Sequence, residues 1–281
     1  MQAASYAKLN LRLDVFPKGA NGYHPLRSVM VELDLHDDLT VETKATPGIQ
    51  WRCNHPDLQD GSTNLVTQAL LALSKEAHYL GGWKVELTKR IPLQAGLGGG
   101  SSNAAQALRL GNACLGSPLH EEQLLHLGAS LGSDVPFFLV GKLAWVEGVG
   151  EQVTPLVSTY QPWIVLAKPR SGVDTRACYH QWDLRNDPLV ERPSMVKALL
   201  SNDPHHIQQA MHNDLTRAAL DLSPDMASLY QTMKTMGFDA LLVCGSGSCL
   251  AGFTHSALVA EQCANVLQSY APFVQVTRFR K

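Results

Sequence analysis

A mixed chain of strands and helices in two domains is predicted by three observations. Strand-period segments open the chain, helix-period segments follow from about residue 65, and beyond GEQVTPL (150–156) an apolar strand starts afresh at 163–167. The predicted division is therefore 1–156 and 157–281. The length of 281 residues and a 45% hydrophobic content are enough for sizeable cores.

In chain order, Leu9, Leu11, Leu13 and Val15 alternate with Lys8, Asn10, Arg12 and Asp14, the period of a half-buried strand, so Lys8 and Asn10 share a face. KGANGYH (18–24) carries an Asn-Gly turn signal, and 28–35 returns as a second strand. A short strand is predicted at 39–42, then a polar, poorly periodic stretch to about Ser62. Leu65, Val66, Ala69, Leu70, Leu73 and Ala77 repeat at helical spacing, with Ser62 or Thr63 as the cap and Gly81-Gly82 as the stop. A strand at 83–87 leads into a glycine loop and a second helix lined by Ala104, Leu108, Gly111 and Leu115. Ser117-Pro118 is read as the cap of a third helix, which Gly132 ends. After the strand at 163–167, residues 183–193 read as a loop. Helices are predicted at 194–201, 204–219 and 224–236, then a strand at 240–243, the turn CGSGSC, another strand and a helix at 256–269.

Composition excludes several classes. Lys and Arg number 23 against 25 acidic residues, which gives no basic field for a nucleic acid. No apolar run reaches the ~18 residues of a membrane span, and MQAASYAKLNLRLDV lacks the regions of a signal peptide, so a cytoplasmic protein without membrane partners is expected. The six cysteines show no CxxC pair and read as reduced core thiols. His205, His206 and His212 form the one histidine cluster, without the partners of a zinc set, and read as surface residues.

The stretch IPLQAGLGGGSSNAA (91–105) concentrates four glycines between Gly96 and Gly100 at a strand-to-helix junction. Backbone N–H groups and a helix N-terminus converging there make an anion site, for which phosphate is the natural guest. A loop whose glycines merely permit a tight crossing is the alternative. A Walker loop is excluded because no Lys occurs between Arg90 and Lys142, and a dinucleotide fingerprint because Ser101 holds the place of its last glycine.

PLQAGLGGGSS (92–102) resembles the ATP loop of the GHMP family of small-molecule kinases. SYAKLN (5–10), NGYH (21–24) and GSDVPFF (132–138) are similar to the branch of that family that phosphorylates a cytidine-diphosphate-linked methylerythritol, and WVEGVGE (145–151), VLAKP (165–169) and CGSGS (244–248) continue the likeness. The resemblance implies an α+β two-domain GHMP fold with ATP and substrate in the interdomain cleft. It also implies phosphoryl transfer from ATP with Mg²⁺ to the 2-hydroxyl of that alcohol, by a monomer or weak dimer.

Carried onto this chain, the resemblance makes Asp134 the catalytic base and Lys8 its electrostatic partner. The residues alone equally allow Ser133 or Asp134 to cap a short helix and Lys8 to lie on a solvated face. Pro92, Leu93, Gln94, Ala95, Gly96, Leu97, Gly98, Gly99, Gly100, Ser101 and Ser102 correspond to the ATP-binding stretch. Asn10, Tyr23, His24, Thr175 and Tyr179 correspond to substrate contacts, with the aromatic-histidine pair and Tyr179 at the cytosine; as bare sequence, Tyr23-His24 is also a plausible turn tail. The second glycine turn, 245–248, either lines the cleft or is a plain hairpin turn. Tyr6, Asn21 and Cys244 stand where the family usually has Pro, Asp and Ser, and Gly99 and Gly100 intervene before the serines. No metal ligand is assigned. A kinase for another alcohol, a binding-only sensor of the same fold and a dinucleotide oxidoreductase are the rival expectations.

Overall fold

A computed structural model describes residues 1–20, 22–58, 61, 64–185, 187 and 192–281. Its strands are β1 (Gln2–Val15), β2 (Leu26–Lys44), β3 (Gly48–Cys53), β4 (Gly82–Thr88), β5 (Leu143–Glu147), β6 (Gln152–Pro155), β7 (Trp163–Lys168), β8 (His212–Asn213), β9 (Ala240–Val243), β10 (Leu250–Thr254) and β11 (Phe273–Thr277). The helices are α1 (Leu65–Glu76), α2 (Gly99–Cys114), α3 (Glu121–Leu131), α4 (Val135–Val140), α5 (Thr175–Arg185), α6 (Met195–Ser201), α7 (Pro204–Ala210), α8 (Thr216–Leu222), α9 (Pro224–Lys234) and α10 (Ala257–Leu267).

Two sheets organise these elements. The first runs β3-β4-β2-β1-β8, with β5 pairing β2 and β6 pairing β5; the second runs β11-β7-β10-β9. The halves are stitched together, because β8 from the C-terminal half runs parallel to β1 at Arg12 and Leu13, and Phe279 bridges Leu33. Between the sheets, Ala7, Leu9 and Leu11 pack in one core with Ile164, Leu166 and Phe253. A second core joins α1, α2 and α4 to the first sheet through Leu70, Leu108, Phe137 and Trp83. No helix among the described residues is long and apolar enough to cross a membrane.

Several predicted elements change on inspection. The strands predicted at 28–35 and 39–42 are one 19-residue strand, β2, interrupted in pattern but not in backbone by Asp37. Asp37 is fully buried, and its carboxylate accepts from the N–H groups of Arg90 and Ile91 at 2.7 and 2.9 Å, so a charged residue sits in a strand centre where periodicity predicts a break. The polar stretch before residue 62 contains the edge strand β3, parallel to β4.

Helix boundaries shift for equally local reasons. Asn64 caps α1 by accepting from the Thr67 N–H at 2.9 Å; the expected caps Ser62 and Thr63 lie outside the described residues, as does Asn21 of the predicted turn. The helix stops at Glu76, before the glycines, where His78 takes φ 51°. The third helix starts at Glu121 rather than at Ser117-Pro118, with the His120 N–H held by the Gln123 side chain at 2.9 Å. Residues 183–185 belong to α5 rather than to the predicted loop, and β11 has no counterpart in the prediction. The long helix predicted over 204–219 is broken into α7, β8 and α8. Asn213 causes that break, since its side chain accepts from the Leu215 N–H and donates to two carbonyls of the second sheet's β9 hairpin.

Candidate active site

A cleft of about 540 Å³ lies where the glycine loop, β1, the start of α4, the start of α5 and the 245–247 turn meet. Lys8, Asn10, Asp134, Thr175, Tyr179 and the loop from Pro92 to Ser101 all line it. Thus elements from both halves of the sequence converge on one space.

The strand β1 is irregular on either side of Lys8. The pairing with β2 shifts register between Tyr6 and Lys8 and again between Asn10 and Arg12, and the Lys8 N–H pairs with the Leu97 carbonyl at 2.9 Å. Residues 7–11 are all buried, Ala7, Leu9 and Leu11 in the core between the sheets and Lys8 and Asn10 on the face that lines the cleft, so the solvated-face reading of Lys8 and Asn10 does not hold. The Lys8 ammonium, 4% exposed, donates to Asn10 Oδ1 at 2.7 Å and lies 3.4 Å from Asp134 Oδ2. Asn10 Nδ2 donates in turn to Ser28 Oγ at 2.8 Å, which donates to the Arg12 carbonyl at 2.6 Å. This chain leaves the lysine little freedom except along the cleft.

Asp134 stands at the N-cap position of α4 and makes no side-chain capping bond. Its carboxylate is turned to the buried ammonium, and about a quarter of it (26%) remains open to solvent. A carboxylate beside a buried cation and open on one side is placed to accept a proton from a group in the cleft and to pass it to solvent.

The glycine loop is shaped by protein contacts before any ligand is considered. Gly96 has φ +72°, and a Cβ there would fall 1.7 Å from the Cys244 carbonyl oxygen; Gly98, at φ +68°, has room for no Cβ between Lys8 Cγ and a Phe138 ring carbon, 2.8 and 2.9 Å away. The Ser248 and Cys249 N–H groups bond the Gln94 and Ala95 carbonyls, each at 3.2 Å, so the two glycine turns are laced together. The α2 N-terminus has no side-chain cap, and at Gly100 the nearest atom to a built Cβ is 3.6 Å away. Those uncapped N–H groups facing an open cleft fit the phosphates of a nucleotide.

Two residues that sequence reasoning missed hold this frame. Asn213, 1% exposed, donates to the Val243 and Gly245 carbonyls at 2.8 and 2.7 Å and so fixes the second turn. Lys89 lines the cleft from below α2, ion-paired with the buried Asp37 and 3.1 Å from Asn103 Oδ1, which anchors the strand that feeds the loop. The side-chain bonding of Asn213 gives no periodic signal, and Lys89 reads as an ordinary strand-end cation.

The remaining expected residues are placed unevenly. Thr175 Oγ1 is 2.9 Å from Ser246 Oγ, which ties α5 to the second turn. Tyr179 is partly buried, and desolvation, then the charge of Asp134, raise its phenol above the usual range, keeping the hydroxyl protonated. Ser102 is buried within α2 and does not reach the cleft wall, whereas Ser101 does. Tyr23 and His24 are not among the lining residues: Tyr23 is 66% exposed, and His24 packs on Tyr179 with ring centroids 5.0 Å apart. Cys244 beside the cleft is fully buried, and desolvation together with neighbouring Cys249 pushes its thiol well up. No group of three or more metal-ligating side chains occurs among the described residues.

The model of the GHMP kinases N terminal domain matches residues 64–142, and that of the GHMP kinases C terminal matches residues 195–272. A 4-diphosphocytidyl-2-C-methyl-D-erythritol kinase of Citrifermentans bemidjiense is 35% identical over 265 residues, covering 94% of this chain and 93% of its own. The kinase of the same name from Shouchella clausii is 33% identical over 272 residues, covering 97% of this chain and 92% of its own. A crystal structure of a 4-(cytidine 5'-diphospho)-2C-methyl-D-erythritol kinase superposes with TM-score 0.83 at 30% identity, over the whole of both chains. A homoserine kinase of Cytophaga hutchinsonii shares the fold, with TM-score 0.75 at 18% identity over 99% of this chain and 93% of its own.

Proposed function

The chain belongs to the GHMP kinases, in the family of the 4-diphosphocytidyl-2-C-methyl-D-erythritol kinases, and from that premise we propose that Asp134 is the base of its phosphoryl transfer. The reaction moves the γ-phosphoryl of ATP to the 2-hydroxyl of 4-diphosphocytidyl-2-C-methyl-D-erythritol, a step of the non-mevalonate route to isoprenoid precursors. The observation that carries the assignment is the Lys8–Asp134 pair, 3.4 Å apart at the wall of the cleft that the glycine loop also lines.

In this reading Asp134 accepts the proton of the 2-hydroxyl as its oxygen attacks the γ-phosphorus, the bond to the β–γ bridging oxygen breaks, and ADP leaves. Lys8 orients the carboxylate by its charge, and Asn10 holds Lys8. Asp134 then returns its proton to water through its solvent-open side. The loop from Pro92 to Ser101 holds the triphosphate by backbone N–H groups and the α2 N-terminus, Ser102 standing behind it inside the helix, and Mg²⁺ arriving with the ATP would offset the charge of the phosphates. Tyr23, His24, Thr175 and Tyr179 bind the cytidine end. The two working halves divide after residue 156, just past β6, the first carrying the ATP loop with Lys8 and Asp134, the second carrying the 245–248 turn and α5.

Replacing Asp134 by Asn tests the assignment. We expect kcat to fall at least about 10³-fold, within the range a positioned base contributes, while ATP affinity measured by titration calorimetry stays within about threefold. An Asn variant with turnover close to the unaltered enzyme moves the base to another group.

A further inference from the structure

His24 is held by one face of α5. Tyr179, Trp182 and Asp183 are spaced three and four residues apart along that helix and so project together. The imidazole lies 5.0 Å from the Tyr179 ring at 31° and 5.7 Å from the Trp182 ring edge-on at 90°. Its Nε2 is 2.8 Å from Asp183 Oδ1, with the His24 side chain 9% exposed and that of Asp183 38% exposed. The cytidine reading gives the ring a base to recognise and leaves open which of its nitrogens does so.

The carboxylate answers that. An ionised Asp can only accept, so the proton shared with it sits on Nε2, and in a neutral imidazole Nδ1 is then left as an acceptor. Cytosine presents an amino donor at C4 where uracil presents a carbonyl acceptor. An Nδ1 lone pair therefore attracts the first and repels the second. We propose that Asp183 is a specificity-determining positioning residue, which locks His24 in the Nε2–H tautomer and so makes the site select a cytidine over a uridine diphosphate. The inference rests on the cytidine reading of the cleft.

The test uses the full-length enzyme at about pH 8. Turnover of the cytidylyl substrate is measured with CDP and UDP as competitors, and ¹⁵N NMR reads the His24 tautomer in the free protein. Asp183→Ala should raise KM about tenfold with kcat within twofold, and should cut the preference for CDP over UDP by about tenfold, the worth of one hydrogen bond to a charged group. Asp183→Asn can pair with either tautomer, so its KM should stay nearer that of the unaltered enzyme while its preference falls. A merely structural Asp183 would move KM and leave the preference. A CDP preference that persists in Asp183→Ala, or an Nδ1 that carries the proton in the unaltered protein, overturns the proposal. Equal inhibition of the unaltered enzyme by CDP and UDP would instead remove the cytidine reading on which it rests.

Discussion

The roles proposed for Lys8 and Asp134 are disguised by their sequence neighbourhoods. Alternation puts Lys8 on a polar strand face, and SDVP makes Asp134 a helix cap; the structure buries the first and leaves the second at the cap position without a capping bond. What periodicity cannot see is that both faces of β1 are covered at residues 7–11, Ala7, Leu9 and Leu11 by the core between the sheets and Lys8 and Asn10 by the walls of the cleft. Family resemblance, not pattern, is what made these two legible. The glycines were legible for only part of their purpose. A cradle for phosphate would explain open space at Gly100, but Gly96 is required by the Cys244 carbonyl crossing 1.7 Å from where its Cβ would stand. Gly96→Ala combines that overlap with a left-handed φ, and should lower stability by about 2–4 kcal/mol in urea denaturation and weaken ATP binding at least tenfold. An Ala variant with unchanged midpoint would mean that the two turns do not meet as described.

Among the elements, α1, α2, β4, β7, β9 and the hairpin from β1 to β2 could be read from period and turn residues, because one face of each meets a core. Those that escaped are organised by single polar side chains. Asp37 keeps β2 continuous through a polar stretch, and Asn213 breaks a helical pattern into α7, β8 and α8 to reach the second glycine turn. Tertiary bonding overrides local preference at both places, and both lie behind the cleft. Asn213→Ala strands two buried carbonyls, and should cost about 2–3 kcal/mol in chemical denaturation. Because the 245–247 turn lines the cleft, we also expect KM for ATP to rise several-fold with kcat less affected; unaltered ATP kinetics would separate that turn from nucleotide binding.

Across the whole molecule, the two sheets are not separate beads. The C-terminal half lends β8 and Phe279 to the first sheet, while Leu9 and Leu11 of the first strand sit in the core beneath the second. A cleft whose walls include Lys8, Asn10, residues 92–101, Asp134, Thr175, Tyr179 and residues 245–247 is assembled only when the full chain folds. The sequence pattern gives a break near 156, and nothing in it announces this stitching, since a two-residue parallel strand has no periodicity. The chemistry that the assembled cleft performs is tested most directly by product identity. Purified protein with ATP, Mg²⁺ and 4-diphosphocytidyl-2-C-methyl-D-erythritol should give stoichiometric ADP and a new phosphomonoester at the 2-position by ³¹P NMR. No phosphomonoester from that alcohol, with turnover of mevalonate or homoserine under the same conditions, would contradict the account.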